Sequence, residues 1–487
     1  MIRSSGRSLD QLRFIRELEQ GVHFRGSFSV ALDPKLLHYI SLKMLVVQEE
    51  VEKQTMEDTY EETNKDTEVA PALIAVHPTQ NSVALAIGSD LRVFNLIGGC
   101  AVSLVENSGG ALHKDSIRAI RYGASGKLFV SAGDDKLVKI WSTESWHCIS
   151  TVCSEKRVTA VAISNDGSYV CFADKFGVVW VVDVDVEGFD GNQASANKKA
   201  APMLSHYCSI ITSLEFSPDG RFFVSADRDF KIRVTVFPKK PLDGAHEIQS
   251  FALGHTEFVS CLASVYTQEF PHGFLVSGSG DSTVRLWDIS SGSLLDTCDI
   301  RDKAGPSEFK GIEEECCSAV TDLCTIPDST LVAVAVQSLQ GIILLRCDLS
   351  ARTLNVAKVV SIKGDTFIPT SLATSVSSGL LWMVTGASNL GDLESPSLAR
   401  VRVISDFKKT SPDVVQQGPT VLEDDETPGG EKLLEKLQGR VSIDEKVFST
   451  AAEALKTSMS KLLIKKQYST ERREFRKRGR NDKKLKQ

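Results

Sequence analysis

The strongest constraint on this chain is a strand, tight turn and second strand that recur with one internal spacing. The run Phe274–Asp288, FLVSGSGDSTVRLWD, reads as a strand, a turn around Gly280 and Asp281, and a strand closing on Trp287. FVSAGDDKLVKIW (Phe129–Trp141), CFADKFGVVW (Cys171–Trp180) and FVSADRDFKIRVT (Phe223–Thr235) repeat the layout. In each, an Asp (Asp135, Asp174, Asp229, Asp281) precedes the closing position (Trp141, Trp180, Thr235, Trp287) by six residues. The closing positions stand about 40 to 55 residues apart, the period of a unit of four short strands with variable loops. A weaker copy, Ala84–Phe94, precedes them, and each copy has an upstream strand with its own turn, as at Gly123–Gly126, Asn165–Gly167 and Ser217–Gly220. One such sheet exposes two edges and cannot cover its own apolar faces, whereas radial stacking of several sheets does both. A sandwich would not require the same turn and closing aromatic in every unit.

The expected fold class is therefore all-β, a β-propeller over residues 71–405. Its units are 71–110, 111–153, 154–200, 201–245, 246–300, 315–350 and 365–405, which makes seven blades. The last two are degraded: one reads VTDLC, IPDST, VAVAVQS and GIILLRC with no Trp, the other LATSV, LLWMVTG and LARVRVI. Residues 1–48 form an amino-terminal segment in which Phe28–Val47 could add an outer strand, and residues 49–70 an acidic, flexible insertion. From Glu49 to Glu68 nine acids face two lysines, too much like charge to collapse. Residues 406–440 read as a linker with a short helix. In 441–487, Phe448, Ala451, Ala452, Leu455, Met459, Leu462 and Leu463 recur at helical steps after a capping-box pattern at Ser442–Glu445. That stripe suits packing on the propeller or binding a partner.

The chain ends in a basic tail, with twelve Lys or Arg against three acids from Lys461 to Gln487. Such a tail serves as a solvated end, a nuclear-import patch or a sequence-blind grip on RNA phosphates. The whole chain nevertheless carries a net charge of −7, which argues against a protein coated in nucleic acid. No run of 18 apolar residues offers a membrane span, and the first twenty residues lack the apolar stretch of a secretory signal. The eleven cysteines show no CxxC spacing, so neither a disulfide framework nor a zinc site is expected.

No metalloprotease, nucleophile-elbow, P-loop or dinucleotide-binding pattern occurs, and the paired Asp134 and Asp135 fall in a hairpin turn. The sequence thus reads as a binding protein. The most distinctive segment is in the fourth blade, where Thr235 replaces the closing aromatic. Period two there sets Lys231 and Arg233 opposite Ile232 and Val234. That basic face is either a solvated strand or a docking surface for carboxylates on another protein.

Gly254-His255, followed by Leu286-Trp287-Asp288, resembles the WD40 repeat, in which His, Ser or Thr, Asp and Trp form a buried hydrogen-bond chain. His255, Ser277, Asp281 and Trp287 make the fullest such set, and His255 is expected to be structural. Together, SPDGRFFVSADRDFKIRV, FALGHTEFVS and FLVSGSGDSTVRLWD resemble the non-catalytic WD-repeat subunit of the tRNA guanine-N7 methyltransferase, closely from Pro71 to Asp288 and more weakly to Ile404. The resemblance implies a non-catalytic partner of a SAM-dependent methyltransferase that forms N7-methylguanosine in the tRNA variable loop. It implies no cofactor or metal on this chain, SAM on the partner, tRNA contacted through the complex, and a nuclear address with the cytoplasm as a second compartment. It carries the partner-binding role onto Arg228, Lys231 and Arg233. Phe230 departs from the family's commonest form, RDEKIR, by replacing an acid. The rival reading is a general WD40 adaptor in a ubiquitin-ligase or chromatin complex.

Overall fold

The computed structural model describes residues 68–457 apart from 107–111, 185–198, 207–208, 302–318, 328, 338, 363–368, 377–378, 391–396, 408–418, 440–449 and 456. The strand proposed in Phe28–Val47, most of the acidic tract and the whole basic tail lie outside these residues. A short strand β1 (Ala70–Pro71) precedes the first blade, whose strands are β2 (Leu73–Val76), β3 (Ser82–Ile87), β4 (Asp90–Asn95) and β5 (Cys100–Ala101). The second blade holds β6 (Ile117–Tyr122), β7 (Leu128–Gly133), β8 (Leu137–Ser142) and β9 (Cys148–Cys153). The third holds β10 (Val158–Ile163), β11 (Tyr169–Asp174), β12 (Val178–Asp183) and β13 (Ala201–Ser205). The fourth holds β14 (Ile211–Phe216), β15 (Phe222–Asp227), β16 (Lys231–Val236) and β17 (Ile248–Leu253). The fifth holds β18 (Val259–Val265), β19 (Phe274–Ser279), β20 (Thr283–Trp287) and β21 (Leu294–Asp299). The sixth holds β22 (Val320–Thr325), β23 (Leu331–Val336), β24 (Gly341–Asp348) and β25 (Thr353–Ser361). The seventh holds β26 (Pro369–Thr374), β27 (Leu381–Ser388), β28 (Ser397–Ser405) and β29 (Thr420–Val421), joined by β1.

All seven sheets are antiparallel meanders, and their innermost strands touch in a closed cycle from β2 through β6, β10, β14, β18, β22 and β26 back to β2. The chain is a seven-bladed WD40 propeller. Its core is a ring of apolar layers between neighbouring blades, such as Val276, Leu286, Val320, Val334 and Ile343 between the fifth and sixth.

Several strand limits differ from the sequence reading. The outer strands β13 and β17 belong to the third and fourth blades although they fall in the units expected to follow, and β25 extends the sixth blade past residue 350. Outer strands have the weakest apolar alternation because one edge faces water, so periodicity assigns them poorly. The outer strand of the seventh blade is β29, from the segment read as linker.

The inner strands β6, β10, β14, β18, β22 and β26 each carry a register irregularity at their second residue. Four of those residues are threonines whose hydroxyls donate to the next blade. Thr159 reaches the Ile211 carbonyl at 2.7 Å and Thr212 the Val259 carbonyl at 2.5 Å. Thr321 reaches Pro369 at 2.8 Å and Thr370 reaches Ala72 at 2.7 Å. A bulge turns the side chain out of the ladder, and the hydroxyl then satisfies a carbonyl that the neighbouring inner edge leaves free.

Both ends of the described chain close the seam between the seventh and first blades. On the inner side β1 pairs with Ala387 and Ser388 of β27. On the outer side helix α1 (Gly430–Gln438) buries Leu433, Leu434 and Leu437 in the layer that holds Phe94, Trp382 and Val401. Arg92 donates to the Leu437 carbonyl at 2.8 Å, and the Gln438 side chain accepts from the Val401 amide at 2.8 Å. Residues 450–455 are helical, and Ala451 and Leu455 pack on Ala387, Leu390 and Leu398. That is the described part of the expected carboxyl-terminal helix, and there its stripe packs on the propeller.

Candidate functional site

The fifth blade shows what the repeat builds when complete. His255 lies between Asp281, 2.9 Å from Nδ1, and Ser277, 2.7 Å from Nε2, and the Trp287 indole donates to Ser277 Oγ at 2.8 Å. Burial alone would raise the Asp281 carboxyl, but the His255 hydrogen bond and charge, with Thr283 and the Thr256 amide, hold it far below the usual carboxylate range. The second blade repeats the arrangement with His113, Ser131, Asp135 and Trp141. All these groups spend their polar atoms on one another, so the chain of bonds fixes a turn and offers no reactive group.

Two of the expected repeat positions behave differently. In the second blade the final pair before the turn is Ala132 with Val138, and Trp141 follows three residues later. In the third blade the final pair is Ala173 with Val179, so Trp180 follows after one. Trp180 is thus displaced toward the turn, half-buried, with its indole donating to Asp174 at 2.9 Å, and Val182 occupies the closing register. Constant six-residue spacing concealed the shift because Asp174 opens its turn, whereas Asp135 is the third residue of its own.

In the fourth blade, His206 bonds to Asp227 at 2.9 Å and Ser225 at 2.8 Å, so the acid of the chain is Asp227 rather than Asp229. Sequence reading missed His206, although it stands 19 residues before Ser225 much as His113 stands 18 before Ser131. Thr235 does sit in the closing register, opposite Phe223 as Trp141 is opposite Phe129. It is fully buried, and its Oγ1 has no hydrogen-bond partner.

The same register isolates the candidate docking residue. Directly across from the serine of each chain stands a cation: Lys139 opposite Ser131, Arg233 opposite Ser225, Arg285 opposite Ser277. Lys139 is buried and ion-paired to Glu106. Arg285 donates to Thr283 Oγ1 at 3.2 Å and lies 3.8 Å from Asp281. Arg233 faces no carboxylate among the described residues. Its Nη1 donates to the Ser205 carbonyl at 3.1 Å, its Nε is buried without a partner, and desolvation lowers its pKa with nothing to offset it. A guanidinium so placed keeps its charge and carries unspent donors suited to a bidentate carboxylate.

The other two expected partner-binding residues flank it. Lys231 is exposed on the same face, two residues along β16, while Ile232 and Val234 point into the core. Arg228 is half-buried in the turn, where its amide donates to the Ile210 carbonyl at 2.9 Å. Between them Phe230 is held at φ 70° and is 39% exposed, an unusual conformation for a bulky side chain. Lys231 and Arg233 therefore share one face of β16, and Arg228 and Phe230 stand in the turn that leads into that strand.

A second titratable cluster lies along the inner strands. Arg121 of the second blade donates to Glu215 of the fourth at 2.6 Å. Asp322 of the sixth accepts from the Leu372 amide at 2.8 Å, and burial pushes its carboxyl up to about 6. These groups hold blades to one another. Among the described residues no group of three or more His, Cys, Asp or Glu could hold a metal ion, and no helix is long and apolar enough to cross a membrane. The eight described cysteines are free.

Comparison with known proteins agrees with this architecture. Residues 190–382 match the tRNA methyltransferase TRM82 WD40 domain, and residues 111–142 match the WD domain, G-beta repeat. The chain is similar to the tRNA (guanine-N(7)-)-methyltransferase non-catalytic subunit wdr4 of Dictyostelium discoideum, 29% identical over 249 residues, covering 49% of this chain and 51% of that protein. It is likewise 34% identical over 238 residues to the same-named subunit of Danio rerio, covering 48% of this chain and 52% of the relative. The chain thus spans about half the length of these curated relatives. Among solved structures, that of U3-55K superposes with a TM-score of 0.52 at 18% identity, over 68% of this chain and 95% of its own, a likeness of fold alone.

Proposed function

We propose that this chain is the non-catalytic WD-repeat subunit of a tRNA (guanine-N7)-methyltransferase complex, and that its fourth blade docks the catalytic subunit. The observation that carries the reading is the cation opposite Ser225. Three blades place a positive charge in that register; two neutralise it within the chain and the fourth leaves it for a carboxylate from outside. The match of residues 190–382 to the TRM82 WD40 domain, with the similarity to relatives named as non-catalytic methyltransferase subunits, supports the identity of the visitor.

In this reading the catalytic subunit brings SAM and the reacting guanine, and tRNA is engaged through the complex. The propeller contributes position. A rigid sheet that holds a partner's active-site elements to within a fraction of an ångström changes rate without donating a catalytic group. The basic tail favours a nuclear address, which a fluorescent fusion with and without residues 461–487 reads out.

The test is depletion of this chain with measurement of N7-methylguanosine in tRNA, then complementation by the parent and by Arg233→Glu. The parent restores the modification. The reversed charge lowers association by about tenfold or more, since it sets like charges against each other at a desolvated site. Unchanged modification after depletion overturns the reading, and equal affinity of Arg233→Glu and parent removes that residue from the interface.

A further inference from the structure

The inner strands of the seven blades surround the axis of the ring, and their pairing with the second strands fixes which residues share a level. Arg121, Glu215 and Cys324 stand at one level with four alanines, Ala162 of the third blade among them. Where most side chains are a single methyl, a long one can cross. Arg121 leaves the second blade, skips the third, and donates from Nη1 to Glu215 of the fourth at 2.6 Å. Asp322 of the sixth blade lies two residues before Cys324 on β22 and so shares its side of the strand. The charge of Glu215 raises the Arg121 pKa most, desolvation works against it, and the charge of Asp322 adds to the rise. One cation thus lies in the field of two carboxylates on different blades.

The two acids are held differently. Glu215 is partly open to water and bonds to Arg121, whereas Asp322 accepts from the Leu372 and Leu323 amides at 2.8 and 2.9 Å. Burial still pushes the Asp322 carboxyl up to about 6. A neutral Asp322 exerts little pull on the guanidinium; an ionised one competes with Glu215, and the five donors of an Arg can be divided between two acceptors. The other titratable groups that face Asp322 are the thiols of Cys261 on β18 and Cys324 on β22. Burial pushes both far up, Cys324 to about 12, so neither gains charge near neutrality. The inner strands β2, β10 and β26 bring no titratable side chain to these two levels.

We infer that Arg121 is a latch shared across the ring: it ties the second blade to the fourth through Glu215 while Asp322 is neutral, and divides its bonds between Glu215 and Asp322 once Asp322 is ionised. The tie to the fourth blade is therefore undivided in mild acid and is split with the sixth as pH rises through about 6. Two conditions of one side chain, biased by a single proton, make a switch that needs no ligand.

Urea unfolding of the purified full chain tests this through two mutant cycles. At pH 5, Arg121→Gln and Glu215→Gln are coupled by about fivefold in the unfolding equilibrium constant, and Arg121→Gln and Asp322→Asn by less than about twofold. At pH 7.5 the first coupling falls toward about twofold and the second rises to about threefold or more. With Asp322→Asn in place, the coupling of Arg121 to Glu215 is the same at both values. A first coupling that does not fall in the parent, or a second that does not rise, overturns the latch.

A second readout keeps Arg121 in place. Its Nε–H resonance in arginine-labelled protein, identified by its loss in Arg121→Lys, moves between pH 5 and 7.5 in the parent and stays put in Asp322→Asn. A stationary signal in the parent, or one that moves equally in Asp322→Asn, likewise overturns the latch. Both readouts use the chain alone, so neither result bears on its reading as a methyltransferase subunit.

Discussion

The fourth and fifth blades are neighbours built on one plan, and they use it differently. Each has a His, Ser and Asp bonded in series beneath its turn, and each sets an Arg across from the Ser. The fifth adds Trp287 to the series and keeps Arg285 near Asp281. The fourth puts Thr235 where the indole would be and leaves Arg233 without an acid among the described residues. The lesson is that three polar members suffice to hold the turn, so the aromatic position and the facing cation are free to diverge. Divergence at those two places converts a self-satisfied blade into one with donors to offer.

The comparison breaks most visibly if the two closing positions are truncated. Trp287 is fully buried and donates a hydrogen bond, so Trp287→Ala is expected to cost about 3 to 5 kcal/mol. Thr235→Val removes a buried hydroxyl that bonds to nothing and is expected to be neutral or mildly stabilising. Urea unfolding of both variants checks the pair, and a Thr235→Val loss as large as that of Trp287→Ala would show that the fourth blade depends on its closing residue after all.

The cation register gives the next largest contrast. Lys139→Ala strands the partly buried Glu106 without its cation and is expected to cost about 2 to 3 kcal/mol. Arg233→Ala, with no acid to strand, is expected to change stability by less than about 0.5 kcal/mol while weakening the complex. Thermal melts of the isolated chain alongside affinity measurements separate the two effects.

Two carboxylates sharpen the picture through pH. The depressed Asp281 stabilises the fold above its unfolded value near 3.8, and that contribution is lost as pH falls toward its folded value. Asp322 runs the other way. Its folded pKa of about 6 exceeds the unfolded 3.8, so its contribution is fully present below about 4 and is lost as pH rises through 6. The size is of order 3 kcal/mol. Asp322→Asn therefore gains on the parent between pH 4.5 and 7, which urea midpoints at the two values measure; parallel behaviour at both would remove the raised carboxyl from consideration.

Much of this was legible in the residues. The seven units and the His255, Ser277, Asp281, Trp287 series follow from side-chain types at fixed separations, because turn chemistry and strand period are local. Lys231 and Arg233 share a face for the same reason. What stayed hidden is whatever depends on register between strands. Trp180 and Asp229 keep the six-residue interval, yet neither does what the interval implies, since a turn can shift its acid by two residues without altering the count. The Thr159, Thr212, Thr321 and Thr370 bonds cross from blade to blade, and Glu106 meets Lys139 from a separate loop.

The seam where β1, β29 and α1 gather has one more implication. In a cycle of seven, no member is farther from the junction of first and last than the middle one. Fraying that begins at that seam must pass through three sheets, from either direction, before it disturbs Arg233; the portion of the molecule that has to keep its shape for someone else is the portion such loosening would reach last.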